Sequence, residues 1–302
     1  MSQPPTTTDS KIGAGRILPL LPMIAIGLWW LNDLRFQWAS QVEYQFGWMV
    51  AMLTAYLVWE RWETRPREDE PSSAWLPLVL ALVGTPLVAV AELYKIGIAR
   101  TQASSMLLSL GCTSFITANL FLVCGPRTWR HFLFPIGFLF IAVPLPKLIW
   151  DPIVFGLRDF VTMLNIETMN LMGIPAQRQG YVIVTPRCEV SVDEACSVVR
   201  SLQSSVMAAL FVGDLSLKHP AWKVVFLFVG VGLAVVGNFG RSLYLSLTAH
   251  WHGSDALKRA HDAAGWTVLG FTGIGVSLLA WSLIRMEKRM RVRAQMGEIP
   301  RL

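Results

Sequence analysis

Residues 222–248 read WKVVFLFVGVGLAVVGNFGRSLYLSLT, the longest apolar run in a chain of 302 residues. A membrane-spanning helix needs about 20 predominantly apolar residues, and this run exceeds that length. It also contains two residues that are costly in lipid, Asn238 and Arg241. The run therefore predicts a membrane helix that carries polar groups within the bilayer.

The composition extends this prediction to the whole chain. Hydrophobic residues make up 53% of the sequence and charged residues only 15%, whereas soluble domains carry about 25% charged residues. The mean hydropathy is +0.47. An ordinary soluble enzyme is therefore excluded, and the four cysteines are too few for a small scaffold built on disulfides.

The apolar runs predict an all-α polytopic membrane protein with about eight transmembrane helices. We expect a cytoplasmic N-terminal tail (1–16), about four N-terminal transmembrane helices (17–131), a core with the chemistry (132–285) and a basic cytoplasmic tail (286–302). Prolines near the end of the fifth run predict a break there. The eight runs are 17–31, 44–59, 75–93, 103–124, 132–149, 196–215, 222–248 and 263–284.

The basic residues predict the orientation. With a cytoplasmic N-terminus, 15 of the 26 Lys and Arg residues fall on the inner side and nine on the outer side. The other two, Arg200 and Arg241, lie inside predicted helices. This bias favours two cytoplasmic termini. It also argues against nucleic-acid binding, because no compact basic domain is present.

The outer connection between the fifth and sixth spans is unlike the other loops. Residues 151–172 place apolar side chains at spacings of three and four, which predicts an amphipathic helix at the membrane surface. Residues 181–184 and 188–192 favour strands, and 185–187 favour a turn. We therefore expect a small extracytoplasmic β-hairpin before the sixth span.

A thiol stands at the start of the sixth span, in the stretch Glu194-Ala-Cys196-Ser-Val-Val-Arg200-Ser201. Arg200 follows Cys196 by four residues, so the two positions share one face of a helix. A nearby cation or a helix N-terminus favours the nucleophilic thiolate. The stretch therefore indicates a reactive cysteine, although a packed cysteine beside a snorkelling arginine fits the same pattern.

Asn238 and Arg241 form the second polar group. An arginine at the centre of a membrane helix costs about 2.5–3.5 kcal/mol, so Arg241 is expected to face the bundle interior with Asn238 on nearly the same side. An anion or a polar partner would then hold the guanidinium. A purely structural arginine that is bonded to carbonyls is the alternative.

His261 and Asp262 form the third group, immediately before the last span. A histidine near a cysteine can act as a general base or as an ion-pair partner. An exposed loop histidine is the alternative, and His250 and His252 compete for the same role. The predicted topology places Cys196, Arg241 and His261 near the outer ends of three different spans.

These three stretches, in this order, resemble the exosortase/archaeosortase family of polytopic membrane proteins, which are regarded as cysteine transpeptidases. The resemblance covers about residues 134–284, and the N-terminal half matches only as a set of hydrophobic spans. The surrounding sequence is similar to the family in Val143-Pro-Leu-Pro146, Leu171-Met-Gly-Ile-Pro175 and Gly180-Tyr-Val-Ile-Val184.

The resemblance implies that Cys196 is the nucleophile, Arg241 the catalytic arginine and His261 the third catalytic residue. Separately, His219, His250, His252 and His261 have no metal-ligand partners at suitable spacing in the sequence, so we expect no metal and no cofactor. The family usually has Gly after Cys-Ser, where this chain has Val198, so the substrate groove is expected to differ in shape. Residues expected to bind substrate or to support the site are Arg200, Asn238, Glu194 and Asp262.

By the same resemblance, the substrates are exported proteins with a C-terminal sorting signal: a short motif such as Pro-Glu-Pro, a hydrophobic helix and a basic tail. Cleavage would pass through a thioester acyl-enzyme. An amine acceptor, which the family does not identify, would give transpeptidation, and water would give proteolysis. The expected location is the bacterial inner membrane, among membrane lipids, with the site on the extracytoplasmic side.

Two other classes remain open. In a transporter or channel, Arg200 and Arg241 would bind an anionic substrate along a path. A rhomboid-like or metal-dependent protease lacks support, because the sequence contains no Gly-x-Ser-x-Gly and no His-Glu-x-x-His.

Cys188 is also predicted to lie outside, where a disulfide with Cys196 would block the nucleophile. We therefore expect the two thiols to remain unbonded or to pair reversibly.

Overall fold

The computed structural model describes residues 18–66, 73–191 and 198–296. These residues form eight α-helices, three short strands and 3-10 turns at Leu18–Leu20, Val42–Tyr44 and Phe140–Ala142. The helices are α1 Leu21–Ser40, α2 Gly47–Glu63, α3 Trp75–Gly97, α4 Gln102–Leu139, α5 Lys147–Leu171, α6 Val198–Ser216, α7 Pro220–His252 and α8 Ser254–Gln295. The strands are β1 Gln177–Gln179, β2 Val182–Val184 and β3 Glu189–Ser191. The chain divides into two compact units after Pro146.

In the first unit, α4 folds back on itself. Near the start of α4, Ser105 donates a 3.1 Å hydrogen bond to Asp33 of α1. Just beyond the end of α4, the carbonyl of Ala142 accepts a 2.9 Å hydrogen bond from Trp38, which follows Asp33 by five residues on α1. A straight helix would separate residues 105 and 142 by roughly 55 Å. The reversal occurs at Gly125, whose φ of 81° and ψ of 171° interrupt the helix. The fourth predicted span and the first part of the fifth, residues 132–139, therefore lie on the two arms of α4.

A buried polar cluster joins α1, α3 and the first turn of α4. Lys95 Nζ lies 2.7 Å from Asp33 Oδ1, and both side chains are buried. Lys95 also contacts Glu92 at 2.9 Å. Gln37 donates to Ser105 over 3.3 Å. The charges are paired and hydrogen-bonded, as an apolar bundle requires.

The prediction of eight spans is not confirmed. Among the described residues, four helical segments are long and apolar enough to cross a membrane: Trp75–Gly97, Gln102–Ala142, Pro220–His252 and Ala263–Arg293. They contain the third, fourth, seventh and eighth predicted spans and the first part of the fifth, residues 132–142. Helix α1 carries Asp33 and Arg35 in its second half, α2 has 17 residues, and the described apolar part of the sixth span is Leu202–Ser216.

The break predicted near the end of the fifth span is present, but the span ends before residue 149. The helix ends at Leu139, a 3-10 turn follows to Ala142, and residues 147–149 already belong to α5. The reason lies in Pro144 and Pro146. A proline removes a backbone donor and biases the residue before it towards an extended conformation.

In the second unit, α7 runs antiparallel to both α6 and α8. Glu287 near the end of α8 accepts hydrogen bonds from the backbone N–H groups of Lys218 and His219, which precede α7. The C-terminus of α6, the N-terminus of α7 and the last turns of α8 therefore meet at one end. The N-terminus of α6, the C-terminus of α7 and the first turns of α8 meet at the other. The shared core is formed by Ala209, Leu217, Phe226, Val276, Ala280 and Leu283.

The helix and hairpin expected between residues 150 and 195 are present. Helix α5 buries Val161 and Met169 against Ile183 of β2. Strands β2 and β3 pair antiparallel in the predicted hairpin, with Ile183 opposite Val190. The sequence did not predict β1, which pairs with β2 on its other edge. Its three residues, Gln-Arg-Gln, are all exposed, so they carry no apolar alternation.

Candidate active site

Arg241 lies inside α7 with its side chain turned into the second unit. It is 8% exposed, and Asn238, three residues earlier, is fully buried. Ser242 and Ser246 are buried on the same helix. The inward orientation expected from the cost of an intramembrane arginine is thus the orientation observed.

Asn165 of α5 extends this polar face, and the sequence reading missed it. Its Nδ2 donates to Val161 O over 2.8 Å and to Ser242 Oγ over 3.1 Å. Asn165 and Ser242 are both fully buried. A signal was present, because Asn165 follows the apolar-face residue Val161 by four positions and so interrupts the apolar stripe of an amphipathic helix.

Helix α8 passes close to the guanidinium of Arg241. A Cβ built on Gly265 would stand 3.8 Å from Arg241 Nη2. Position 261 precedes Gly265 by four residues, so the two positions share one face of α8. The structure therefore places Arg241 beside the helix face that carries position 261.

Strand β3, which leads towards Cys196, packs against α7 and α8 close to Arg241 and Gly265. Val190 of β3 forms a buried cluster with Leu245 and Ala249 of α7 and Ala264 of α8. Leu245 lies one turn after Arg241, and Ala264 adjoins Gly265. Strand β3 ends at Ser191, and α6 begins at Val198. Glu194 and Cys196 lie between them, outside the described residues, as do the side chains of Arg200, His261 and Asp262.

The turn between β2 and β3 is within hydrogen-bonding distance of the C-terminal end of α7. Thr185 Oγ1 lies 3.3 Å from His250 Nδ1 and 3.3 Å from Cys188 Sγ. The Thr185 hydroxyl also donates to Cys188 O over 3.0 Å. His250, a competitor of His261 in the sequence, is thus engaged with the sheet. Cys188 carries a free thiol.

No group of three or more His, Cys, Asp or Glu residues suited to a metal ion occurs in the part of the chain that the structure describes. The described part of the site assembles a buried guanidinium and neutral hydrogen-bonding side chains. Such a group of fixed donors can stabilise a negative charge away from bulk water.

The fold and this site define a multi-pass membrane protein with a buried polar centre in its second unit. A family model described as transmembrane exosortase matches residues 38–278. The chain therefore belongs to the transmembrane exosortase family. Comparison with curated proteins and with solved structures finds no match.

The family match changes the extent of the resemblance. The motifs alone carried it from about residue 134 onward, whereas the family model begins at residue 38, within α1. Helices of the first unit therefore belong to the family pattern too. Members of this family are generally cysteine peptidases or transpeptidases that act on exported proteins bearing sorting signals.

Proposed function

We propose that this protein is a membrane cysteine peptidase or transpeptidase that removes the C-terminal sorting signal of exported proteins. Cys196 is the nucleophile, Arg241 binds the developing negative charge, and His261 moves the proton. The observation that carries the proposal is the proximity of Arg241 to Gly265. It brings the arginine of α7 next to the helix face of the His261 motif.

The reaction begins when the imidazole of His261 accepts the thiol proton of Cys196. The thiolate attacks the carbonyl carbon of the scissile peptide bond, and Arg241 stabilises the resulting oxyanion. His261 then returns the proton to the leaving amine, and the C–N bond breaks to leave a thioester on Cys196. An amine acceptor gives a new amide, whereas water gives a free carboxylate.

The packing of β3 supports this assignment of the nucleophile. Only four residues separate Ser191 from Cys196, and β3 is held through Val190 against Leu245 and Ala264. On the other side of Cys196, α6 begins at Val198. Both flanks of the cysteine therefore belong to the corner of the unit that contains Arg241 and Gly265.

Four further residues are assigned supporting roles in this proposal. Asn238 shares the buried side of α7 with Arg241, so we assign it to positioning of the guanidinium. Arg200, Glu194 and Asp262 are assigned to substrate binding or support. Residues 132–285 form the catalytic core in this proposal.

The charge bias supports an extracytoplasmic site. It favours two cytoplasmic termini, and in that orientation the ends of α8 and α6 near Glu287 face inward. The sheet, the C-terminus of α7 and the N-terminus of α8 then face outward, in the inner membrane of a bacterial cell. A substrate anchored by its own C-terminal helix would present its sorting motif at that level.

The proposal is tested by co-expression with a tagged secreted protein that ends in a sorting signal of the Pro-Glu-Pro type. Processing appears as a decrease in size, and Cys196→Ala and Arg241→Gln should each abolish it. Cys188→Ala is the matched control, because it removes a free thiol from the adjoining sheet and should leave processing intact.

The same experiment separates the enzyme from a transporter or channel that binds an anion at Arg241. A transporter would cause no decrease in substrate size even in the wild type, and its transport would survive Cys196→Ala but not Arg241→Gln. Undiminished processing in Cys196→Ala would therefore overturn the peptidase proposal, provided that the variant reaches the membrane in normal amounts.

A further inference from the structure

A groove of about 500 Å³ lies along the junction of α7 and α8, where Gly253 (φ 82°) separates the two helices. It lies between two segments that can span a membrane, Pro220–His252 and Ala263–Arg293. The groove therefore sits at the level where these helices leave the bilayer. The lining side chains that matter here are Tyr244, Leu247, Trp251, His252, Ala256 and Arg259.

The groove is lined by exposed side chains of α7. On α7, Tyr244 and Trp251 are 52% and 53% exposed. Leu245 and Ala249, next to them in sequence, are buried in the cluster with Val190. With about 100° between successive residues, Tyr244 and Trp251 lie on the flank of α7 that is turned away from this cluster. Ala260 of α8 lines the groove and also packs against the cluster. Through Tyr244 and Trp251, the groove faces the surroundings of the protein at the membrane boundary.

The lining combines two basic side chains with an apolar floor. Arg259 and His252 lie close to the turn, and Leu247 and Tyr244 lie deeper along α7. No Asp or Glu side chain lines the groove among the described residues. A guanidinium binds a phosphate through two parallel hydrogen bonds, and tyrosine and tryptophan are enriched at the level of lipid headgroups.

We propose that this groove binds one anionic phospholipid of the surrounding bilayer. The phosphate is held by Arg259 with His252 beside it, and an acyl chain runs along Leu247 towards Tyr244. The charge of the lining selects an anionic headgroup over a zwitterionic one. The exposed apolar floor selects a lipid over free phosphate, because only the lipid covers it.

The test uses the full-length protein in phosphatidylcholine vesicles that contain phosphatidylglycerol, with bromine on the acyl chains of one lipid at a time. Bromine quenches tryptophan fluorescence at contact, and Trp251 lines the groove. The fluorescence of Trp251 is obtained by subtracting the fluorescence of Trp251→Phe from that of the wild type. This subtraction cancels the contribution of the other twelve of the 13 tryptophans. We expect brominated phosphatidylglycerol to quench this signal at about fivefold lower mole fraction than brominated phosphatidylcholine, as one arginine near an anionic lipid surface predicts.

Arg259→Gln should remove this preference, whereas Arg289→Gln should keep it, because Arg289 is an exposed arginine near the other end of the same helix. Inorganic phosphate should leave the preference unchanged. The proposal is overturned if both lipids quench Trp251 equally, which is also the result for a groove filled by a substrate helix. It is equally overturned if Arg259→Gln has no effect or if free phosphate abolishes the preference.

Discussion

The guanidinium of Arg241 on α7 lies against Gly265 on α8, with Nη2 3.8 Å from the point where a Cβ would stand. This distance is an ordinary van der Waals contact, so a methyl group fits there and a larger side chain does not. The size of the residue at position 265 therefore controls where the arginine can lie.

Substitutions at Gly265 should show a threshold in size. Gly265→Ala should retain processing, and Gly265→Leu should lower its rate by about 100-fold, the effect of displacing a catalytic group by about 1 Å. The measurement is the rate of substrate cleavage at equal amounts of membrane-inserted protein. Gly270→Leu on the same helix is the control, because a Cβ there meets no described atom within 4 Å. Equal rates for the two Leu variants would contradict the proposed role of the contact.

The hydrogen bond between Asn165 and Ser242 should be measurable as a coupling energy. Asn165→Ala and Ser242→Ala should each destabilise the protein, and the double variant should lose less than the sum by about 0.5–1.5 kcal/mol. Unfolding in mixed micelles with increasing SDS provides the free energies. Among the described residues, Thr168 bonds within its own helix, to Leu164 O, so Thr168→Ala combined with Ser242→Ala should be additive. An additive Asn165–Ser242 pair would refute the coupling.

Much of this fold could be predicted from the sequence, because spans and amphipathic helices follow from the periodicity of apolar residues. The apolar run 222–248 lies within α7, and the stripe through Val161 and Met169 is the buried side of α5. The reversal of α4 was expressed in the sequence as two separate apolar runs. Strand β1 had no such signal, since its residues bond through their backbone and expose their side chains.

The site was only partly predictable. The high cost of a charge inside the membrane predicted that Arg241 faces inward, and its side chain is buried in the structure. Sequence could not show that Gly265 approaches it, since that proximity depends on how α7 and α8 cross. Ser242 was hidden for a similar reason: a serine in a membrane helix can bond to its own backbone, and only packing reveals the partner on α5.

The buried pair of Asp33 and Lys95 should behave as a unit. Lys95→Met alone leaves the buried Asp33 carboxylate without its partner and should destabilise the first unit by about 3–5 kcal/mol. Asp33→Asn should cost less, because Lys95 keeps its 2.9 Å contact with Glu92. The double variant should recover most of the loss caused by Lys95→Met, because Glu92, the other carboxylate near Lys95, is 38% exposed and can remain hydrated. Thermal unfolding of the purified variants decides the matter. Additive losses in the double variant would show that the pair is not the source of the stability.

Glu287 should stabilise the second unit without affecting its chemistry. Its carboxylate accepts from the N–H groups of Lys218 and His219 and from Arg291 at 2.6 Å. Glu287→Ala should destabilise the protein by about 1–3 kcal/mol, and Glu287→Gln, which keeps one acceptor oxygen, should cost less. Exposed Lys288→Ala serves as the control. Processing per folded molecule should be unchanged, and a selective loss of activity would place Glu287 in the site instead.

The central claim is that Cys196 carries the substrate as a thioester. The direct measurement is peptide mass spectrometry of the protein isolated during turnover, with and without hydroxylamine, which cleaves thioesters. The account predicts a substrate fragment on Cys196 that hydroxylamine releases and that Cys188 never carries. Complete substrate cleavage with an unmodified Cys196, or an adduct on Cys188 instead, would contradict it.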